Sequence, residues 1–361
     1  MTAPGPRIFD RPADIANLDS ENVLGAVERF AEQCRAGWEI GRAAEGLPNG
    51  DGVESVLVLG MGGSGISGNV VHAILEDRLR VPFEVLKSYG PLPEWVGRNT
   101  LVFAVSYSGS TEETIAAFTD AHDRGSRAVA VSSGGALAEM AREYGVAHVA
   151  IPSGLQPRAS LGYLALPILA VLGRIGIVPD LHEDVDEAEE VLTALQARCH
   201  RDRPTRDNPA KHLAEAIYGR IPVVYGGHGA TAVAAERFKC DLNEYSKTPA
   251  FWNRFPELNH NEIVGWSQFA DITKQSFMGV WLRDKEEHPR VTLRFEITKR
   301  LIGDKLGALV EVPSEGHSAT ARLLSHILVT QLASIYLGLA YGIDPGPIEV
   351  IQQLKKELAD R

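Results

Sequence analysis

Apolar residues come in short unbroken runs along the first part of this chain. Ser55–Leu59, Phe83–Leu86, Leu101–Val105, Ala128–Val131 and His148–Ile151 are such runs, rich in valine, leucine and alanine. Between them, Glu112–His122 and Ala136–Tyr144 return to the three- and four-residue spacing of a helix with one buried face. Unbroken apolar strands alternating with helices predict a parallel sheet covered on both faces. Ahead of this block, Val23, Val27 and Phe30 predict a leading helix over Ile15–Ala43.

The pattern then restarts. Asn208–Tyr218 reads as a helix, Ile221–Tyr225 as a strand and Ala230–Phe238 as a helix. Phe277–Leu282 and Ala308–Val312 read as later strands, and Ser318–Tyr341 and Pro347–Leu358 as closing helices. VLVLGMGGSG at 56–65 and PVVYGGHGAT at 222–231 have one design, a strand running through a glycine turn into a helix. The predicted fold class is therefore α/β, with two doubly wound, flavodoxin-like parallel-sheet halves and flanking helices. Residues 1–50 form a helical lead, 51–200 the first half and 201–361 the second, with the connection near 176–206.

Length and composition agree with this. The 361 residues are 44% hydrophobic and 23% charged, which excludes a disordered or collagen-like chain. The net charge of −11 is concentrated in residues 1–200, with 15 basic and 27 acidic side chains. Neither half is basic, so nucleic acid and anionic membranes are not expected partners. Six of the eight residues in Glu183–Glu190 are acidic and read as a solvated helix face. Cys34, Cys199 and Cys240 have no paired spacing, so neither a disulfide framework nor a zinc site is expected. The opening MTAPGPRIFDRPAD lacks the apolar core of a signal peptide, and Thr330, Gln331 and Ser334 interrupt the apolar stretch Ile327–Tyr341. These features predict a soluble cytoplasmic protein.

Two loops carry candidate binding chemistry. Gly60-x-Gly62-x-x-Gly65 matches the dinucleotide fingerprint in form, but Glu84 lies inside its strand, where it cannot serve the ribose. Glycines at a helix start let backbone N–H groups approach an anion of any kind. The second loop places the hydroxyls of Ser106, Ser108, Ser110 and Thr111 between a buried strand and a helix. Helix capping by Ser110 or Thr111 explains one hydroxyl, not four. A neutral cradle for a phosphate monoester explains the set.

The pairing GMGGSG with SYSGSTEET resembles the sugar isomerase (SIS) domain, which binds phosphosugars. PSGLQPRASLGYLALPIL at 152–169 resembles the arginine loop of the bifunctional phosphoglucose/phosphomannose isomerases. The resemblance implies that Gly63, Ser64, Ser106, Ser108, Thr111 and Arg158 hold a substrate phosphate.

The densest chemistry lies in residues 229–266, which hold Arg237, Glu244, Lys247, Glu257, His260 and Glu262. His260 has no second histidine at ligand spacing, so no metal is expected. Metal-free proton transfer needs a carboxylate base, a group for the ring proton and a cation beside the developing oxyanion. The segment resembles the same family's signature, an arginine helix followed by NExxKxPA and PExNHNE. By that resemblance Glu244 is the catalytic base, His260 opens the sugar ring and Arg237 steadies the enediolate. It also implies that His260 reaches the site of a neighbouring subunit, making a homodimer with shared active sites. Tyr245 replaces a smaller residue of the family pattern and is expected to reshape the pocket wall. Lys355 resembles a family lysine that helps at the ring oxygen, with Lys356 equally placed. Gly346-Pro-Ile-Glu does not reproduce the threonine-proline associated with accepting the mannose epimer.

The reading with most support is an enzyme without cofactor: aldose–ketose isomerisation of a hexose 6-phosphate through a cis-enediolate. A non-catalytic sugar-phosphate-binding regulatory protein is the alternative from another class, and an isomerase of a different phosphosugar a third. A pure sensor would need the phosphate loops but not Glu244, Arg237 and His260.

Overall fold

A computed structural model describes residues 3–359. It holds nine strands in two wholly parallel sheets. In the first sheet, β1 (Ser55–Leu59), β2 (Phe83–Leu86), β3 (Thr100–Val105), β4 (Arg127–Ser132) and β5 (Ala147–Ala150) lie in the order 2-1-3-4-5. In the second, β6 (Ile221–Gly226), β7 (Phe251–Arg254), β8 (Phe277–Arg283) and β9 (Ala308–Pro313) lie in the order 7-6-8-9. Thus β1 and β6 occupy equivalent central places, each with the next strand on one side and the following one on the other. The strand runs read from apolar blocks fall within two residues of the observed bounds, because every residue of β1 and β3 is buried. β7 was not expected: its FWNR sequence is half exposed and carries no apolar run.

The chain divides into two compact units. The first comprises Arg29–Ala194 with Glu315–Ser325, and the second Leu195–Ser314 with the segment up to Glu28 and that from His326 onward. These limits differ from the three-part division expected at residues 50 and 200, for reasons visible in the packing. The leading segment is not one helix. Helix Pro12–Leu18 stops before Asp19, which accepts the N–H groups of Val23 and Leu24 at 2.8 Å each; Asn22 takes a left-handed conformation, a short helix spans Val23–Val27, and a third helix starts at Phe30. Before that break, the Lys211 ammonium, wholly buried, donates to the carbonyls of Phe9, Arg201 and Arg203 at 2.5–2.7 Å, which ties the opening segment into the second unit. After it, helix Phe30–Ala43 packs on helix Leu161–Arg174 in the first unit. A Cβ at Gly37 would stand 2.4 Å from the Gly162 carbonyl oxygen, so glycine permits the close approach.

The acidic run is only partly a solvated face. In helix His182–Cys199, Asp186 and Glu189 pair with Arg35 at 2.5 and 2.7 Å, and Glu187 accepts the N–H groups of His317 and Ser318. Helix Ala319–Ala340 has the length and apolarity of a membrane span, but its apolar window is entirely buried within the protein. Helix Pro289–Ile302 was not expected either. Its apolar positions are diluted by arginine, lysine and glutamate, although Val291, Phe295 and Ile302 pack into the second core.

Candidate active site

In the first unit, three loops at the carboxyl ends of the strands are stitched around one residue. Ser64 lies in the first turn of helix Gly62–Leu75, and its Oγ accepts the Tyr107 N–H at 3.1 Å. The Tyr107 hydroxyl in turn accepts the Leu155 N–H at 2.8 Å. The Tyr107 carbonyl takes both the N–H and the hydroxyl of Ser133. Gly63 closes the arrangement, since a Cβ there would lie 2.9 Å from the Pro157 carbonyl oxygen. The glycine turn therefore sits directly on the short helical turn Pro157–Ala159, which carries Arg158, itself only 3% exposed.

The hydroxyl loop has a division of its own. Ser106, fully buried, shares a 2.8 Å hydrogen bond with Thr111 and accepts the Gly109 N–H. Thr111 occupies the N-cap position of helix Glu112–Asp123, yet its side chain does not cap that helix. The capping explanation for its hydroxyl therefore fails. Ser108 and Ser110 are exposed. Gly109 has φ of +69°, and a Cβ there would fall 1.7 Å from the Gly134 carbonyl oxygen, so only glycine fits. The result is a rigid rim of backbone and hydroxyl groups at a helix start without a side-chain cap, the chemistry that suits a phosphate.

In the second unit, helix Ala230–Tyr245 carries the expected acid–base residues on a buried spine. Arg237 and Asp241, both almost fully buried, form an ion pair at 3.0 Å one turn apart. Burial opposes the guanidinium charge, but Asp241, Tyr245 and Glu244 outweigh it and hold its pKa above the ordinary value. Glu244, on the last turn, is half-buried and lines a cleft of about 600 Å³ with Asn243, Lys247, Asp344, Pro347 and Ile348. Tyr245 does not shape this wall as expected. It points into the core, fully buried, with its hydroxyl accepting from Gln331 at 3.0 Å.

His260 ends the short turn Glu257–His260 and is exposed, and it is not among the residues lining the Glu244 cleft. The turn is nonetheless firmly held on both sides. Asn259 donates to Thr298 at 2.9 Å and accepts from Arg294 at 3.1 Å. Two residues beyond the histidine, Glu262 accepts from Asn253 at 2.5 Å and from the Tyr225 hydroxyl, which itself accepts from Trp266 at 3.0 Å. Burial first, and then Glu262, pushes the Tyr225 phenol well above its usual pKa. Lys355 and Lys356 lie exposed on helix Glu349–Ala359, and neither lines the cleft. Among the described residues, no group of three or more histidine, cysteine, aspartate or glutamate side chains is placed to hold a metal ion.

Tyr107, Tyr225 and Asn253 were not singled out in the sequence, because their partners lie 43, 37 and 9 residues away. A tyrosine inside a serine loop was the one available signal for Tyr107.

Known proteins share both units. The family model described as the SIS domain matches residues 52–154, and that of the bacterial phospho-glucose isomerase C-terminal SIS domain matches 206–358. A bifunctional phosphoglucose/phosphomannose isomerase of Caldicellulosiruptor bescii is 38% identical over 338 residues, covering 94% of this chain and 99% of the relative. One from Aquifex aeolicus is 38% identical over 339 residues, covering 94% and 98%. The crystal structure of a glucose-6-phosphate isomerase like protein from Thermus thermophilus has the same fold, with a TM-score of 0.64 at 19% identity over 95% of this chain and 99% of that one.

Proposed function

This chain belongs to the family of bifunctional phosphoglucose/phosphomannose isomerases, and on that premise we propose how its two units divide the work. The protein is an aldose–ketose isomerase of hexose 6-phosphates, interconverting glucose 6-phosphate or mannose 6-phosphate with fructose 6-phosphate. The first unit holds the phosphate through Gly63, Ser64, Ser106, Ser108, Thr111 and Arg158. Here Ser64, Ser106 and Thr111 serve chiefly to set the loops, since their hydroxyls already bond within the rim, while Ser108 is presented outward.

The second unit supplies proton transfer without a metal. His260 opens the ring, and Lys355 assists at the ring oxygen. Glu244 takes the C2 proton of the open aldose, the electron pair moves to the carbonyl oxygen, and a cis-enediolate forms. The C2 hydroxyl proton passes to the C1 oxygen, and return of the abstracted proton to C1 as the C2 carbonyl forms yields the ketose. Arg237 stands as a fixed charge behind Glu244 and steadies the anion as it develops. The exposed position of His260, outside the Glu244 cleft, supports a homodimer in which it serves the neighbouring subunit's site. Such an enzyme of sugar metabolism would work in the cytoplasm.

One observation carries this reading: Glu244 lines a cleft whose volume falls in the usual range for small-molecule sites. The segment associated with epimer choice borders the same cleft through Pro347, Ile348 and Glu349. A coupled assay with glucose 6-phosphate and mannose 6-phosphate, EDTA present, tests it. Fructose 6-phosphate is expected from at least one of them. Binding of both sugars without turnover would leave a regulatory phosphosugar binder, and activity lost to chelation but restored by zinc would remove the metal-free step.

A further inference from the structure

We infer that Lys247 is a further catalytic residue of this reaction, its ammonium meeting the oxygen that becomes negative when Glu244 removes the proton. The inference rests on the isomerase reading and adds a residue to it. It starts from the backbone. Helix Ala230–Tyr245 passes through Ser246 and then turns at Lys247, whose φ of +54° lies in the left-handed region. Glycine is the usual occupant of this place after a helix, because any Cβ there is strained. Among the described residues only Asn22 and Phe269 share such a φ without being glycine.

Strain of this kind persists where the surroundings impose it. Here they do. The Thr248 N–H reaches the Leu242 carbonyl at 3.1 Å, the Asn243 amide reaches the Thr248 carbonyl at 2.8 Å, and the Ser246 hydroxyl reaches the Leu242 carbonyl at 2.7 Å. Ser246 and Thr248 are buried, and Lys247 between them is exposed to the cleft. The turn delivers one side chain to one place.

Charge says why that side chain is a lysine. Among the described residues, the cleft lining includes three carboxylates, Glu244, Asp344 and Glu349, and a single cation, Lys247. Arg237, buried and paired with Asp241, does not line this cleft, so a sugar enediolate forming among its carboxylates needs a second positive group beside it. The Lys247 ammonium donates at 2.5 Å to the main-chain carbonyl of Glu244, which holds it at the same helix end as the proposed base. During the reaction it would donate a hydrogen bond to the substrate oxygen and keep its own proton. A lysine serving only to end the helix, by capping that carbonyl, would matter for stability and not for turnover.

That contrast gives the test, because the two roles predict opposite outcomes for one substitution. Lys247→Gly relieves the backbone, so Tm should rise by roughly 2–4 °C. Turnover should nevertheless fall on the order of a hundredfold with KM little changed, as expected when a donor to a developing oxyanion is lost. Lys247→Asn, which tolerates the left-handed conformation but carries no charge, should lose the same turnover. Lys247→Arg should recover part of it. Wild-type kcat in Lys247→Gly, or a rise in KM alone, would overturn the inference while leaving the isomerase reading intact. A wild-type protein that turns over neither hexose phosphate would overturn both.

Discussion

The strand–turn–helix at β1 and the one at β6 share a backbone but spend their hydroxyls differently. After β1, Ser64 sends its hydroxyl out of its own turn to the Tyr107 amide, so the turn becomes part of a rim of three loops. After β6, Thr231 folds its hydroxyl back onto the Gly227 N–H at 2.7 Å and closes its own turn. The glycines follow suit. Gly63 is needed for contact with the Pro157 carbonyl of another loop, whereas Gly226 is needed because a Cβ would stand 2.2 Å from the Thr231 carbonyl of its own helix. A repeated fold thus differs in the direction of a few short side chains: one turn joins a rim of loops, and the other closes on itself. The chemistry proposed for the second unit lies instead at the far end of its helix, at Glu244.

The largest expected effect probes that displacement. Glu244→Gln keeps size and most hydrogen bonding but removes the base, so kcat should fall by about 10²–10⁴-fold with phosphosugar affinity little changed. Exchange of the C2 proton with deuterated water, followed by NMR, is the measurement. Exchange at the wild-type rate would return Glu244 to the role of a helix-end acid.

Acidification should separate the two units next. His326 in the second unit is fully buried, its Nδ1 has no hydrogen-bond partner among the described residues, and burial depresses its pKa to about 4. Once unfolded it would titrate near the ordinary value of about 6.5. Between these values the unfolded state binds the extra proton, so stability is full above about pH 6.5 and is lost as pH falls toward 4. The loss approaches about 3 kcal/mol. In the first unit, His148 is also depressed, by burial that outweighs a hydrogen bond with Ser132, but is only about half-buried. Hydrogen exchange at about pH 5, between the two titration points, should therefore show the second unit opening first, and His326→Gln should flatten that dependence. Equal protection in both units would contradict this.

Ser108→Ala addresses the rim itself. A hydrogen bond to a charged phosphate contributes about 1.5–3 kcal/mol, so affinity for fructose 6-phosphate should drop about ten- to a hundredfold. Calorimetric titration should register this for the phosphate ester and not for fructose. The smallest effect belongs to the self-closing turn. Thr231→Val removes the hydroxyl that closes the β6 turn and should cost about 1 kcal/mol in denaturant unfolding with kcat/KM unchanged. A change in phosphosugar affinity there would mean that the second turn also meets ligand.

Much of the fold was legible because parallel strands buried on both sides read as continuous apolar blocks. Phe251–Arg254 escaped notice as a half-exposed edge strand, and Pro289–Ile302 because charged residues dilute its apolar face. The leading helix was overdrawn, since periodicity does not register the carboxylate of Asp19 that ends one helix and starts another. At the proposed site, the candidate residue types and their spacing were visible in the chain. Their second partners were not. Tyr107, Tyr225 and Asn253 act through contacts made only after folding, and the left-handed turn at Lys247 leaves no mark in a lysine's name.

The way the chain threads the two units also sets a timetable for synthesis. Residues up to Glu28 belong with a unit whose body begins at Leu195, and the Gly5 N–H bonds the carbonyl of Ala340. The first unit in turn takes Glu315–Ser325 from near the other end. At a ribosomal pace of about 5–20 residues per second, the opening segment waits roughly 15–60 s for its partner. Neither unit is whole until almost the entire chain has emerged. No single cut would therefore yield two self-sufficient halves.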